Sequence, residues 1–144
     1  MIPKDEPEVG ATTSARLVVG PDDLASALVL EANDSFPKVL ATARMIALME
    51  VAGSRALLGL LKEGELSVGV TVDIDHTAPT PIGAEVVAQA RYLGKEGKLY
   101  LFEVSAYDPG GEIGKGFHKR AIVASDRLER GALKRIASSE STFA

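Results

Sequence analysis

Apolar side chains between residues 41 and 61 recur every three or four positions. Ala41, Met45, Leu48, Ala52, Ala56 and Leu60 make one stripe, which predicts an amphipathic helix. The positions between them are mostly small or apolar too, so this helix is expected to be covered on more than one side. Gly64, within Lys62-Glu63-Gly64-Glu65, supplies a stop signal. From Ser67 the period changes to two. Val70, Val72 and Ile74 alternate with Thr71, Asp73 and Asp75 as far as His76, the pattern of a strand with one buried face. Thr77-Ala78-Pro79-Thr80-Pro81 interrupts pairing, because proline cannot donate to a sheet ladder. Three more strands are expected at about 84–93, 98–107 and 112–125, separated by turns at Gly94-Lys95-Glu96-Gly97 and Asp108-Pro109-Gly110-Gly111. Ahead of the helix, Arg16-Leu17-Val18-Val19 reads as a short strand ended by Gly20-Pro21, while residues 22–35 mix helical-turn and loop signals.

Short turns between long strands force antiparallel neighbours. One long helix with four or five such strands predicts an α+β fold in which an antiparallel sheet wraps around one long central helix. The 144 residues suffice for one domain, expected over 15–130, with an N-terminal arm at 1–14 and a C-terminal tail at 131–144. A curved sheet of this size leaves an open edge or face, so a homodimer is the default expectation.

Composition narrows the function classes. Hydrophobic residues are 46% and charged residues 25%, an ordinary soluble balance. A net charge of −4 argues against a general nucleic-acid binder. The chain has no cysteine, which removes disulfides, thiolate metal sites and cysteine nucleophiles. With two histidines as well, no metal site is expected. The opening MIPKDEPEVGATTSA lacks the apolar run of a signal peptide, and no stretch approaches the roughly 20 apolar residues of a membrane span. The expectation is a cytoplasmic protein without a membrane or nucleic-acid partner. No P-loop, dinucleotide fingerprint, HExxH or GxSxG motif is present.

Two residues stand out chemically. Glu50 is the only charged side chain in Met45-Ile-Ala-Leu-Met-Glu-Val-Ala-Gly-Ser54. Its helical neighbours Ile46, Ala47, Gly53 and Ser54 offer no charged partner, so an ionised carboxylate there is costly unless another part of the fold meets it. Such carboxylates serve as general bases or nucleophiles, although an exposed position or a structural arginine would account for it equally. His76 shares the strand face of Val70, Val72 and Ile74 and ends just before the proline break. It is either an acid/base candidate supporting Glu50 across the helix–sheet gap or a core histidine bonded to a carbonyl. Thr42, at the helix start, reads as an N-cap. It lies about 12 Å along the helix from Glu50, too far for a direct hydrogen bond. His118 and Arg120 share one face of the last strand, and Lys95, Lys98, Lys115 and Lys119 would form a basic rim for phosphates or simply stay solvated.

The run Phe36-Pro-Lys-Val-Leu-Ala-Thr-Ala-Arg-Met-Ile-Ala-Leu-Met-Glu50, followed by Gly69, by Asp75-His76-Thr-Ala-Pro-Thr-Pro-Ile-Gly83 and by Glu112-Ile-Gly-Lys-Gly-Phe-His-Lys-Arg-Ala121, resembles hotdog-fold thioesterases of the fluoroacetyl-CoA thioesterase type over about residues 36–123. The resemblance implies a hotdog dimer that hydrolyses acyl-CoA without metal or bound cofactor. It matches Thr42, Glu50 and His76 to the family's catalytic residues, Gly69 and Arg120 to its substrate contacts, and Phe36 to an aromatic gate over the acyl pocket. Glu31-Ala-Asn-Asp-Ser35 departs from the more aromatic, apolar lid of the fluoroacetyl-specific enzyme, so the resemblance carries thioester hydrolysis rather than selectivity for a fluorinated acyl group. The alternatives are a hotdog enoyl-CoA hydratase or dehydratase, which also needs an acid/base pair, and a non-catalytic acyl-CoA-binding dimer.

Overall fold

The apolar stripe becomes a helix of 16 residues, α1 (Thr42–Leu57), prolonged by a 3-10 turn at Leu58–Leu60, in a computed structural model that describes residues 5–139. α1 buries Met45, Leu48, Met49, Ala52, Gly53 and Leu57. Around it runs one antiparallel sheet of β1 (Thr12–Val18), β2 (Glu65–His76), β3 (Glu85–Glu96), β4 (Leu99–Asp108) and β5 (Gly111–Ala124), in the spatial order β1-β3-β4-β5-β2. The central strands bury every second residue: Val86, Ala88, Ala90 and Tyr92 on β3, then Tyr100, Phe102, Val104 and Ala106 on β4. Their shared face forms an apolar floor for the helix. Alanines in that floor and Ala52 and Gly53 on α1 let the layers approach closely. A Cβ at Gly53 would stand 3.5 Å from the side chains of His118 and Arg120.

β2 lies at the sheet edge and pairs only with β5. Its register carries one irregularity: Gly69 faces Arg120, Thr71 faces Lys119, and Val70 is the extra residue between them. A bulge of this kind shifts the strand's alternation by one place. Ser67 and Gly69 therefore share the helix side with Val72, Ile74 and His76, which sit opposite His118, Gly116 and Gly114. This corrects the simple alternation, in which Gly69 and His76 fall on opposite faces and Val70 groups with Val72. Gly116 is fixed by proximity, since a Cβ there would run into the Asp73 carbonyl of β2.

The chain ends differ from expectation. β1 begins at Thr12 rather than Arg16, because Thr12–Val18 pairs with the whole of Glu85 to Arg91 on β3. The segment before it is tied down rather than loose. Tyr92 donates to Glu6 at 3.0 Å, Tyr100 donates to the Asp5 carbonyl at 3.3 Å, and Gly10 N–H donates to the Tyr92 carbonyl at 2.8 Å. After β5 the chain forms α2 (Ser125–Ala137), a helix without buried residues, where a tail from 131 was expected. Residues 1–4 and 140–144 of the expected arm and tail lie outside the described residues. The ambiguous 22–35 stretch holds two 3-10 turns, Pro21–Asp23 and Ala25–Leu28. Among the described residues no helix is long and apolar enough to cross a membrane.

Candidate active site

Two clusters of polar side chains stand on α1, eight residues apart. The first joins the helix start to the end of β2. Thr42 is the first residue of α1, and its hydroxyl does not cap the helix; Ala41 is the N-cap, without a side-chain bond. Instead Thr42 Oγ1 lies 2.8 Å from His76 Nδ1. The proline-interrupted segment beyond His76 is held by Thr80. That buried residue donates its hydroxyl to Asp108 at 2.7 Å and accepts the Leu40 N–H at 2.9 Å on its carbonyl. The segment after His76 is thus tied to the residue two before Thr42, beside their side-chain contact, and is anchored to the end of β4. His76 Nε2 is buried and has no hydrogen-bond partner among the described residues.

The second cluster surrounds Glu50. Arg120 Nη1 donates to Glu50 Oε1 at 3.2 Å, with the guanidinium side chain only 7% exposed and the carboxylate side chain 40%. The carboxylate expected in apolar surroundings is therefore half-open and paired with a buried arginine. Burial pushes the Arg120 pKa down, and the charge of Glu50 opposes that shift. Arg120 also donates from Nε to the Ser67 hydroxyl and from Nη2 to the Ser67 carbonyl, both at 3.0 Å. Gly69 faces the carboxylate so closely that a Cβ there would land on Oε1. The glycine leaves Glu50 open toward β2, where any larger residue would cover it.

Of the six residues singled out from the sequence, the structure joins Thr42 to His76 and Glu50 to Gly69 and Arg120. Glu50 and His76 do not bond to each other; their expected support across the helix–sheet gap is replaced by a separate partner for each. Phe36 stands 47% exposed in the loop before α1. In that loop Asp34 accepts the N–H groups of Glu31 and Leu30 at 2.9 and 3.0 Å, which hold its pKa below the usual carboxylate value. Of the basic rim, Lys119 pairs with Glu96 at 2.8 Å and Lys95 with Asp5 at 3.4 Å.

Sequence reasoning missed Ser67 and underrated His118. His118 is 1% exposed, with Nε2 3.1 Å from Arg120 Nη1 and 4.0 Å from Glu50 Oε1. Its one sequence signal was a two-residue spacing from Arg120, which places both on the same strand face. Ser67 carried no signal, because its contact to Arg120 crosses 53 positions.

Comparison with known proteins gives a consistent picture. The family model of fluoroacetyl-CoA-specific thioesterases, FlK, matches residues 6–126. The fluoroacetyl-CoA thioesterase of Streptantibioticus cattleyicolor is 38% identical over 127 residues, covering 87% of this chain and 91% of that protein. A solved structure of the fluoroacetyl-CoA thioesterase FlK superposes with a TM-score of 0.83 at 35% identity, over 88% of this chain and 96% of its own. A thioesterase superfamily member from Thermus thermophilus gives 0.80 at 30% identity, over 92% and 96%.

Proposed function

We propose how this site works from one premise: the chain belongs to the fluoroacetyl-CoA-specific thioesterase family. It has the hotdog fold and is an acyl-CoA thioesterase, releasing free acid and CoA from an acyl-CoA. The observation that carries the proposed chemistry is the Glu50 carboxylate, aimed by Arg120 and left uncovered by Gly69. Glu50 attacks the thioester carbonyl, or takes a proton from the water that does. A backbone N–H at the Gly69 bulge stabilises the oxyanion that develops. His76 delivers a proton to the departing thiolate from its Nε2, the nitrogen that Thr42 leaves free. Thr42 orients that ring. Phe36 gates the acyl pocket, and Arg120 acts on substrate through the carboxylate it holds. The chemistry is assigned to side chains alone, without metal or bound cofactor. The acyl group is proposed to be small. Selectivity for fluoroacetyl is not carried over, because residues 31–35 form a polar, exposed loop.

A homodimer accounts for the separation of the two clusters. β2 is a 12-residue edge strand with Leu66, Val70 and Val72 exposed, and such an edge is a template for pairing. Two-fold pairing of β2 with a second copy runs antiparallel, so the His76 end of one chain comes beside the Ser67–Gly69 end of the other. We place the enzyme with its substrate, in the cytoplasm.

Glu50→Gln and His76→Ala are each expected to lower hydrolysis of short acyl-CoAs at least about a hundredfold with folding intact. Free thiol release is the readout, which also separates hydrolysis from hydration of an enoyl-CoA. Near-wild-type rates in both variants would sink the assignment.

A further inference from the structure

The chemistry above gives His118 no task, yet it stands at the centre of the Glu50 cluster. Its Nδ1 lies 2.8 Å from the carbonyl oxygen of Thr71, and its Nε2 lies 3.1 Å from Arg120 Nη1. A carbonyl only accepts, so Nδ1 carries the ring proton, and the neutral ring presents a lone pair at Nε2. Arg120 Nη1 has two N–H groups. One reaches that lone pair and the other reaches Glu50. With the two bonds to Ser67, four of the guanidinium's five N–H groups are engaged.

We propose that His118 is a positioning residue: as the neutral Nδ1–H tautomer it accepts from Arg120 and so aims the guanidinium that holds Glu50, while its Nδ1–H fastens the Thr71 carbonyl beside the bulge. The proposal rests on the reading of Glu50 as the reacting carboxylate. A single ring thus fixes both the carboxylate's partner and the strand irregularity that brings Gly69 to face it. The ring is flanked closely by two glycines. A Cβ at Gly69 would stand 3.1 Å from its Cε1 and one at Gly53 3.5 Å from its Cδ2, so both glycines are packed against it.

The groups facing the ring come from every element packed against it. Arg120 on β5 carries the cation that Nε2 accepts from, Glu50 comes from α1, the Thr71 carbonyl comes from β2, and the uncharged Phe102 stands opposite on β4. Burial pushes the His118 pKa below its ordinary value, and Arg120 pushes the same way, against the pull of the Thr71 carbonyl and Glu50. Protonation would put an N–H on Nε2 against a guanidinium N–H, and the bond that aims Arg120 would be lost.

Two measurements on the full chain test this. Nitrogen NMR of the imidazoles is simple because the chain has two histidines. One ring is expected as the neutral Nδ1–H tautomer from about pH 8 to about pH 6, with its signal absent in His118→Gln. An Nε2–H tautomer or an imidazolium for His118 at neutral pH overturns the proposal. For kinetics, His118→Phe fills the space but accepts nothing, and is expected to lower kcat/KM for acetyl-CoA about ten- to hundredfold. His118→Gln keeps an acceptor carbonyl near the Nε2 position and is expected to recover to within about fivefold of wild type. Equal losses in the two variants, or wild-type rates in both, overturn the positioning role. Glu50→Gln assayed in parallel separates the failures. If it stays active, the reading of the site falls; if it is dead while His118→Phe is unimpaired, only the role of His118 falls. Should His118→Phe not fold, the tautomer measurement on the unmodified protein decides.

Discussion

At the scale of single residues, the site depends on one missing side chain. Gly69→Ala would place a methyl group on Glu50 Oε1. The carboxylate is the half-exposed end of a flexible side chain, so it swings aside, but it then leaves its bond to the buried Arg120. A misplacement near 1 Å costs on the order of a hundredfold in rate. Gly69→Ala is therefore expected to lower kcat/KM about a hundredfold, with a loss of about 1–3 kcal/mol in stability because the buried Arg120 loses its charge partner and the new Cβ presses on the His118 ring. A large thermal loss with activity retained would refute the account. Glu50 itself was legible in the sequence, because a lone carboxylate among apolar helical neighbours needs a partner from elsewhere. That the partner is Arg120, 70 positions away, was not legible, since no local pattern links a helix to a strand so distant. Thr42 was legible as a helix-start residue and misleading as a cap. Its hydroxyl bonds His76 on the facing strand, which only the fold brings near.

At the scale of elements, α1 and the four strands after it were readable because their periods differ, 3.6 against 2. Within β2 the alternation marked the strand but hid the bulge. A single extra residue leaves the local hydrophobic pattern intact and becomes visible only against the paired strand. The ends of the chain misled for a related reason. Residues 5–11 hold by hydrogen bonds to Tyr92 and Tyr100, and α2 has an apolar stripe without a buried contact, so neither presents the buried periodicity that sequence reading relies on. Glycines on β5 belong to this scale too. Gly116→Ala would set a Cβ against the Asp73 carbonyl, backbone on backbone, with no flexible side chain to yield. Chemical denaturation is expected to show a loss of about 3 kcal/mol or more, where Gly131→Ala on α2, with open space around it, is expected to stabilise slightly or change nothing. Similar stabilities for the two variants would contradict the register of β2 against β5.

At the scale of the whole molecule, the proposed homodimer would join the two clusters into one site, and mixing inactive variants tests it. If a working site draws Glu50 from one chain and His76 from the other, Glu50→Gln and His76→Ala subunits regain activity when unfolded together and refolded. Random reassortment makes half the dimers mixed, each with one intact site, so roughly a quarter of wild-type activity is expected. No recovery means that each site lies within one chain. The extra residue at Val70 takes on another meaning at this scale. The strand is written in two frames, with Ser67 and Gly69 in one and Val72, Ile74 and His76 in the other. The effect of a length change in this strand therefore depends on whether it falls on the extra residue. Losing Val70 itself would join Gly69 directly to Thr71, whose partners on β5 are already consecutive, and both halves would keep their faces. Losing any other single residue between Ser67 and His76 leaves the strand to absorb the change by giving up its extra residue or by turning one half of its chemistry to the wrong side.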